Sequence, residues 1–179
     1  MALSGKNISL RALEAEDARP YHEWINDPAT NQWRGVYHPI SNAEALKWIE
    51  DKARSAADSL TLAIDTAQGE FVGIIGLRGI CSRSRRAEIW IYLGAKDQWG
   101  RGIGADAIGT LCRYAFEQMN LHRIWLESDP ANTAAVRCYE KNGFVKEGTF
   151  KDGYFRNGSY RDTIVMGLVR TDWEGRQCP

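Results

Sequence analysis

A glycine-rich turn between a strand-like and a helix-like segment constrains the fold of this chain most. The run 87–93, A-E-I-W-I-Y-L, is dense in β-forming residues, and apolar residues recur at helical spacing after Gly104. Between them lies segment 99–104, W-G-R-G-I-G. Glycines let a backbone approach an anionic group, and a helix N-terminus adds about half a positive charge. The turn is therefore predicted to cradle a pyrophosphate, with Arg101 as a further cation.

Three other kinds of glycine-rich turn have to be distinguished from such a cradle. A glycine-rich turn before a helix is often only a tight turn. Segment 99–104 is not a P-loop, because no Gly-Lys-Ser/Thr follows it. A dinucleotide fingerprint needs a βαβ unit with an acidic residue about 20 positions further on. Glu127 comes later than that, and the strands before the turn look like an antiparallel meander.

The hydrophobic pattern along the chain indicates one mixed domain over residues 1–179. Strands are predicted over 7–13, 60–66, 70–80, 87–93, 123–127 and 162–169, with a further strand from Phe144. Helices are predicted over 14–26, after a capping box at Ser41 and Glu44, after Gly104, and over 132–141. This order predicts an α/β (α+β) fold whose mostly antiparallel central sheet is flanked by about four helices.

Composition excludes several classes of function. Lys plus Arg is 23 and Asp plus Glu is 23, and this zero net charge argues against binding to nucleic acid or anionic membranes. No apolar run approaches the roughly 20 residues of a membrane span, and no targeting signal is visible. The four cysteines lack C-x-x-C spacing and a histidine pair, which predicts no metal site and reduced thiols in a cytoplasmic protein.

A second motif follows the glycine turn. Segment 132–144 reads N-T-A-A-V-R-C-Y-E-K-N-G-F, and with the turn it resembles the acetyl-CoA-binding motifs of the GNAT family of N-acetyltransferases. Segment 10–13 resembles the opening strand of that family. Trp99, at the head of the turn, gives this segment a similarity to the branch of the family that acetylates ribosomal-protein N-termini. Segments 120–124, 144–148 and 157–162 resemble the spermidine N-acetyltransferases.

The resemblance implies transfer of an acetyl group from acetyl-CoA to a primary amine by direct attack in a ternary complex. Tyr139 falls at the general-acid position of the family, and a phenol with a pKa near 10 could protonate a thiolate with a pKa of about 8.5. Glu88 falls where an acidic residue faces the amine. The alternatives are a Tyr139 that only packs its helix and a Glu88 that faces outward in a salt bridge. A covalent route through Cys138 lacks a nearby histidine in sequence.

The resemblance also assigns the residues that bind the cofactor. Backbone groups of 91–93 would bind the thioester oxygen and the pantetheine amides, where the strand of the family separates from its neighbour. Asn132 could cap its helix, hold the pantetheine arm, or do both. The complete set is Ile91, Tyr92, Leu93, Trp99, Gly100, Arg101, Gly102, Ile103, Gly104 and Asn132.

The acceptor region departs from the spermidine enzymes. Segment 33–40, W-R-G-V-Y-H-P-I, contains no carboxylate, and Arg34 would repel a polyamine. Trp33, Arg34, Tyr37 and His38 are the candidate acceptor residues, in an aromatic-rich pocket with Trp24, Trp48 and Trp90. Arg34 and Arg78 could pair with a carboxylate or phosphate.

The expected partner is a small-molecule amine or a peptide N-terminus. The small-molecule options include an amino sugar, and assembly into a homo-oligomer is left open. A protein of another class, a non-catalytic CoA-binding sensor or interaction module on the same fold, is the alternative function. The glycine turn and Tyr139 are intact, and both count against that alternative.

Overall fold

The computed structural model describes residues 2–54 and 56–177, and its strands form one eight-stranded sheet. The strands are β1 Leu3–Ser4, β2 Ile8–Arg11, β3 Ser59–Thr66, β4 Phe71–Cys81, β5 Arg86–Leu93, β6 Arg123–Ser128, β7 Val145–Arg156 and β8 Ser159–Val169. Their order is β1-β2-β3-β4-β5-β6-β8-β7. Among these strands every pairing is antiparallel except that of β5 with β6. The predicted mixed, mostly antiparallel sheet is confirmed.

Six helices surround this sheet in the described ranges, two more than the four or so predicted. They are α1 Ala18–Ile25, α2 Pro28–Asn31, α3 Asn42–Ala53, α4 Ile103–Glu117, α5 Thr133–Lys141 and α6 Arg170–Gln177. The additional helices are short, and α6 has a polar sequence, so neither α2 nor α6 carries a clear apolar stripe. None of the described helices combines the length and hydropathy needed to span a bilayer.

The sheet separates two hydrophobic cores. On one face, Ala63, Ile74 and Tyr92 lie side by side across β3, β4 and β5 and are buried against α1 and α3. Because side chains alternate along a strand, Ile75 and Ile89 point to the other face and are buried against α4. The face of every residue in β5 is therefore set by its pairing with β4.

The parallel pairing of β5 with β6 is short. It joins Arg86, Ala87 and Glu88 to Arg123, Ile124 and Trp125, and in the described structure it extends no further. Beyond Glu88, β5 continues to Leu93 paired only with β4, and β6 continues to Ser128 paired only with β8. The two strands consequently separate and leave an opening in the middle of the sheet.

A buried ionic cluster joins the first strands to α1. The guanidinium of Arg11 on β2 donates two hydrogen bonds of 2.8 Å to Asp17 and one of 2.7 Å to Asp65. Asp17 is only 4% exposed and also accepts the backbone N–H of Glu14 at 2.9 Å. The hydrogen bond with Asp17 is the main cause that raises the pKa of Arg11. The cluster fixes the start of α1 against β2 and β3.

We expect Asp17→Ala to lower the free energy of unfolding by about 2 kcal/mol, because it removes the buried carboxylate that pairs with the partly buried Arg11, which keeps Asp65. Urea unfolding followed by circular dichroism measures the change. Glu23→Ala is the matched control, since Glu23 forms an exposed pair with Arg19 at 3.6 Å. The control should change stability by about 0.5 kcal/mol or less. Equal effects of the two substitutions would contradict a stabilising role for the cluster.

Candidate active site

A cavity of about 990 Å³ lies where β5 and β6 separate. It is lined from both faces of the sheet, because Glu88, Trp90 and Tyr92 point to one face while Ile89 and Ile91 point to the other. The cavity therefore connects the side of α4 and α5 with the side of α1 and α3. Its lining includes the predicted site residues Trp33, Arg34, Glu88, Ile91, Tyr92, Leu93, Trp99, Gly100, Gly102, Ile103, Gly104, Asn132 and Tyr139.

The glycine turn forms one end of the cavity. Gly100 and Gly102 have φ angles of 77° and 83°, which residues with a side chain rarely adopt. A Cβ atom on either glycine would meet no heavy atom within 4 Å. The space above the turn is therefore open, and the first N–H groups of α4 have no partner within their own helix. This arrangement can bind an anion. Arg101 is exposed beside the turn and does not line the cavity.

Two contacts hold this turn against β5. The indole Nε1 of Trp99 donates a hydrogen bond of 3.0 Å to the carbonyl oxygen of Leu93. A Cβ on Gly104 would lie 3.2 Å from Cδ1 of Leu93 and 3.9 Å from Sγ of Cys138. Gly104 thus allows α4 to approach β5 and α5 closely. These contacts place the turn at the end of the strand whose edge is unpaired.

Tyr139 on α5 packs against its surroundings and also lines the cavity, and its role as an acid stays a prediction. Its side chain is 7% exposed, its ring meets Phe144 edge-on at 6.1 Å, and it lines the cavity. Burial raises the pKa of Tyr139 to about 12, so the group stays a neutral phenol at neutral pH. Burial also raises the pKa of the neighbouring Cys138 thiol.

Asparagines fix both ends of α5. The Asn132 side chain accepts the N–H of Ala135 at 3.2 Å, which is an N-cap, while the residue also lines the cavity. At the other end, Nδ2 of Asn142 donates to the carbonyls of Cys138 at 2.9 Å and Ala105 at 3.1 Å. In the sequence Asn142 is visible only as part of a turn-forming Asn-Gly pair, whereas in the structure its side chain joins α5 to α4.

Glu88 forms the predicted salt bridge while it also lines the cavity, and its role toward the amine stays a prediction. It lines the cavity and forms an ion pair with Arg78, its direct neighbour on β4. The Glu88 side chain is 13% exposed, whereas that of Arg78 is 61% exposed. The pairing holds the carboxylate at the opening, on the face covered by α1 and α3.

Aromatic side chains form the walls at this end of the cavity. Trp48 on α3 meets Trp90 edge-on at 6.3 Å and stacks on Tyr21 at 4.6 Å. The guanidinium of Arg34 lies 4.4 Å from the centre of the Tyr92 ring. Three of the five aromatic residues expected in this pocket line it, namely Trp33, Trp48 and Trp90. Trp24 instead packs on Phe71 at 5.1 Å.

The structure does not place two of the expected acceptor residues in the cavity lining. Tyr37 is 65% exposed, and its hydroxyl lies 3.4 Å from the carbonyl oxygen of Phe155. His38 is exposed. Arg156 on β7 donates to the carbonyls of Arg34 and Asn31 and lies 5.9 Å from the Tyr37 ring. These bonds hold the segment against the β7–β8 hairpin, so Tyr37 faces that hairpin.

Several lining residues carried no signal in the sequence. They are Lys52, Thr61, Glu127, Ser128 and Asp129, which come from three different elements and the loop after β6. Asp129 accepts a hydrogen bond from Tyr154, and burial is the main cause that raises the pKa of Tyr154 to about 12. No three His, Cys, Asp or Glu side chains of the described ranges gather closely enough to hold a metal ion.

Known proteins match both this sequence and this geometry. The model of the acetyltransferase (GNAT) domain matches residues 7–145. A putative ribosomal N-acetyltransferase, YdaF of Bacillus subtilis (strain 168), is 30% identical over 177 residues, which cover 96% of each chain.

Two solved structures of the spermidine N-acetyltransferase from Vibrio cholerae share the fold. The first, in complex with CoA and spermine, superposes with a TM-score of 0.84 at 29% identity and covers 94% of this chain and 98% of that one. The second, a dodecameric form in an intermediate state, has a TM-score of 0.79 at 29% identity and covers 96% and 98%. Because the family model spans most of the sequence and nearly the whole fold is shared, the chain belongs to the GNAT family of N-acetyltransferases, whose co-substrate is acetyl-CoA.

Proposed function

We propose that this N-acetyltransferase moves an acetyl group from acetyl-CoA to the primary amine of a small molecule or a peptide N-terminus by direct attack in a ternary complex. The observation that carries the proposal is that Glu88 and Tyr139 line one cavity from opposite faces of the sheet. A base and an acid on either side of the opening suit a reaction that takes a proton from the amine and gives one to a leaving thiolate.

We assign the cofactor to the side of α4 and α5. Backbone groups at Ile91 and Leu93, on the edge of β5 that leaves β6, would bind the thioester oxygen and the pantetheine amides. The backbone groups of Tyr92, which was expected to join them, point toward β4 instead, because successive residues of a strand alternate between its two edges. Segment 100–104 and the N-terminus of α4 would hold the pyrophosphate. Asn132 would hold the pantetheine arm. When bound, acetyl-CoA supplies the activated acetyl group.

Glu88 is the proposed base. It would take the proton from the acceptor amine, either directly or through a water molecule. Arg78 fixes the carboxylate at the opening through its ion pair, which limits the rotamers that Glu88 can adopt. Bringing both reactants into one cavity supplies the orientation that a direct attack needs.

Tyr139 is the proposed acid, and burial refines its role. With a pKa of about 12, it is a weaker acid than a free phenol. Because this value exceeds the pKa of about 8.5 of a free thiol, complete proton transfer to the departing thiolate is uphill even after the carbon–sulfur bond has broken. The hydroxyl is therefore expected to donate a hydrogen bond to the developing thiolate as the carbon–sulfur bond lengthens.

The state of Cys138 supports direct attack over a covalent intermediate. A nucleophilic cysteine must be a thiolate, and such cysteines have a lowered pKa beside a base or a cation. Burial raises the pKa of Cys138 instead, so the thiol stays protonated at neutral pH. We therefore assign no acyl-enzyme to this residue.

Assembly into a homo-oligomer stays a prediction. The β7–β8 hairpin exposes Phe150, Phe155 and Tyr160, and large exposed apolar groups often mark contact surfaces. The dodecameric relative is consistent with such a use of this fold.

An acceptor screen tests the proposed function. The protein is incubated with acetyl-CoA and a panel of peptides, amino sugars and small amines, and the product is detected by thiol release and by the mass of an added acetyl group. We expect at least one primary amine to be acetylated. Tight CoA binding in calorimetry with no acetylated product from any amine would instead favour a CoA-binding module.

We expect Tyr139→Phe to lower kcat by about 100-fold with little change in acetyl-CoA affinity, because only the acidic hydroxyl is removed. The wild-type pH profile should show no fall in kcat between pH 7 and 10, since the phenol loses its proton only as pH rises through about 12. Tyr114→Phe on α4, outside the cavity, is the control and should keep its activity. Wild-type turnover in Tyr139→Phe would remove the residue from the mechanism.

We expect Gly102→Glu to weaken CoA binding by about 100-fold, because a carboxylate would stand where the cofactor phosphates are proposed to bind. Calorimetry measures the dissociation constant. Gly69→Glu controls for the backbone strain, since Gly69 has a φ of 84°, with nothing within 4 Å of its Cβ position, and lies outside the cavity lining. Equal CoA affinity of the two variants would show that the phosphates bind elsewhere.

A further inference from the structure

Three cations, Arg34, Lys52 and Arg78, line the acceptor end of the cavity with the carboxylate of Glu88. Glu127 lies on the same face, because its neighbour Trp125 pairs with Glu88 and residues two apart on a strand share a face. The hydrogen bond with Glu88 raises the pKa of Arg78, and the charge of Glu127 adds to this effect. Neither Arg34 nor Lys52 forms an ion pair within the described ranges. Arg34 is therefore available to pair with an anionic group of a ligand.

Arg34 is arranged to bind an anion. Its guanidinium carbon lies 4.4 Å from the centre of the Tyr92 ring, and a guanidinium held over an aromatic face can present N–H groups at its edge to a carboxylate or phosphate. Its backbone is held by Arg156, whose Nη1 donates to the Arg34 carbonyl at 2.6 Å.

The surface between this cation and Glu88 is aromatic. Trp48 and Lys52 are four residues apart on α3, so they share one face of that helix and both line the cavity. The Trp90 indole lies across Gly76, where a Cβ would come within 2.9 Å of the ring. The chain between the two ends of a bound ligand would therefore contact apolar surface.

We propose that the acceptor amine carries an anionic group, a carboxylate or a phosphate, which Arg34 binds while Glu88 faces the amine. This inference rests on the proposed function, since it names the substrate class of that site. Glu88 and Tyr92 lie on the same face of β5, about 13 Å apart along the strand. The amine and the anion are therefore separated by a spacer, as they are not in an α-amino acid.

A homologous series of substrates tests the proposal. Glycine and ω-amino carboxylates of increasing length are compared with the matching aminoalkyl phosphates, with the neutral ω-amino amides, and with diamines. We expect kcat/KM for the best anion-bearing amine to exceed that of its neutral amide by at least about 10-fold. Glycine and the diamines should be poor substrates. The better of the carboxylate and phosphate arms identifies the anion.

Variants connect this preference to Arg34. Arg34→Gln should lower kcat/KM for the anion-bearing amine by about 10-fold or more and change that of the amide by less than about threefold. Arg34→Lys should restore part of the loss, since it keeps the charge but not the stacking. Arg19→Gln and Lys47→Gln, both exposed and outside the cavity, are the matched controls.

Ligand binding separates failure of this inference from failure of the proposed function. Quenching of tryptophan fluorescence can report binding without turnover, because Trp33, Trp48 and Trp90 line the cavity. Acetylation of amides or diamines as fast as of anion-bearing amines, unaffected by Arg34→Gln, would overturn the inference and leave the acetyltransferase intact. Binding of carboxylates that depends on Arg34, without acetylation of any amine, would uphold the anion site and overturn the function. Turnover and binding both absent would overturn the two together.

Discussion

The short parallel pairing of β5 with β6 is the constraint on which the site depends. Only three residue pairs join the two strands, after which each keeps a single antiparallel partner. A parallel ladder that continued to Leu93 would close the sheet and pair the backbone groups assigned to the cofactor. The opening costs little stability, because β4 and β8 still support the separated strands and the two hydrophobic cores lie on either side.

Charge in this protein acts locally. A net charge of zero conceals a glycine turn that offers backbone N–H groups and an acceptor end where Arg34 has no ion pair within the described ranges. The spermidine relative shares the fold. A shared backbone does not by itself fix the charge of the acceptor, which depends on the side chains of the site.

Burial of Tyr139 has two effects that oppose each other. The contact with Phe144 stabilises α5 and fixes the ring, while removal from water raises the pKa of the phenol to about 12. A weaker acid is less able to protonate a thiolate, but it keeps its proton over the whole physiological range. The position of the hydroxyl is then more important than its acidity in solution.

Much of this protein follows from its sequence. The glycine turn, the Ser41 capping box and the 132–144 motif are local signals, because each reflects turn or capping chemistry within a few residues, and they indicated the fold and the cofactor side. Only the tertiary structure decided which face of the sheet Glu88 and Tyr92 occupy and which groups contact Arg34. It also decided that Lys52 and Trp90 line the same cavity. Strand register and the separation of β5 from β6 bring together residues far apart in the chain, and no local pattern encodes that contact.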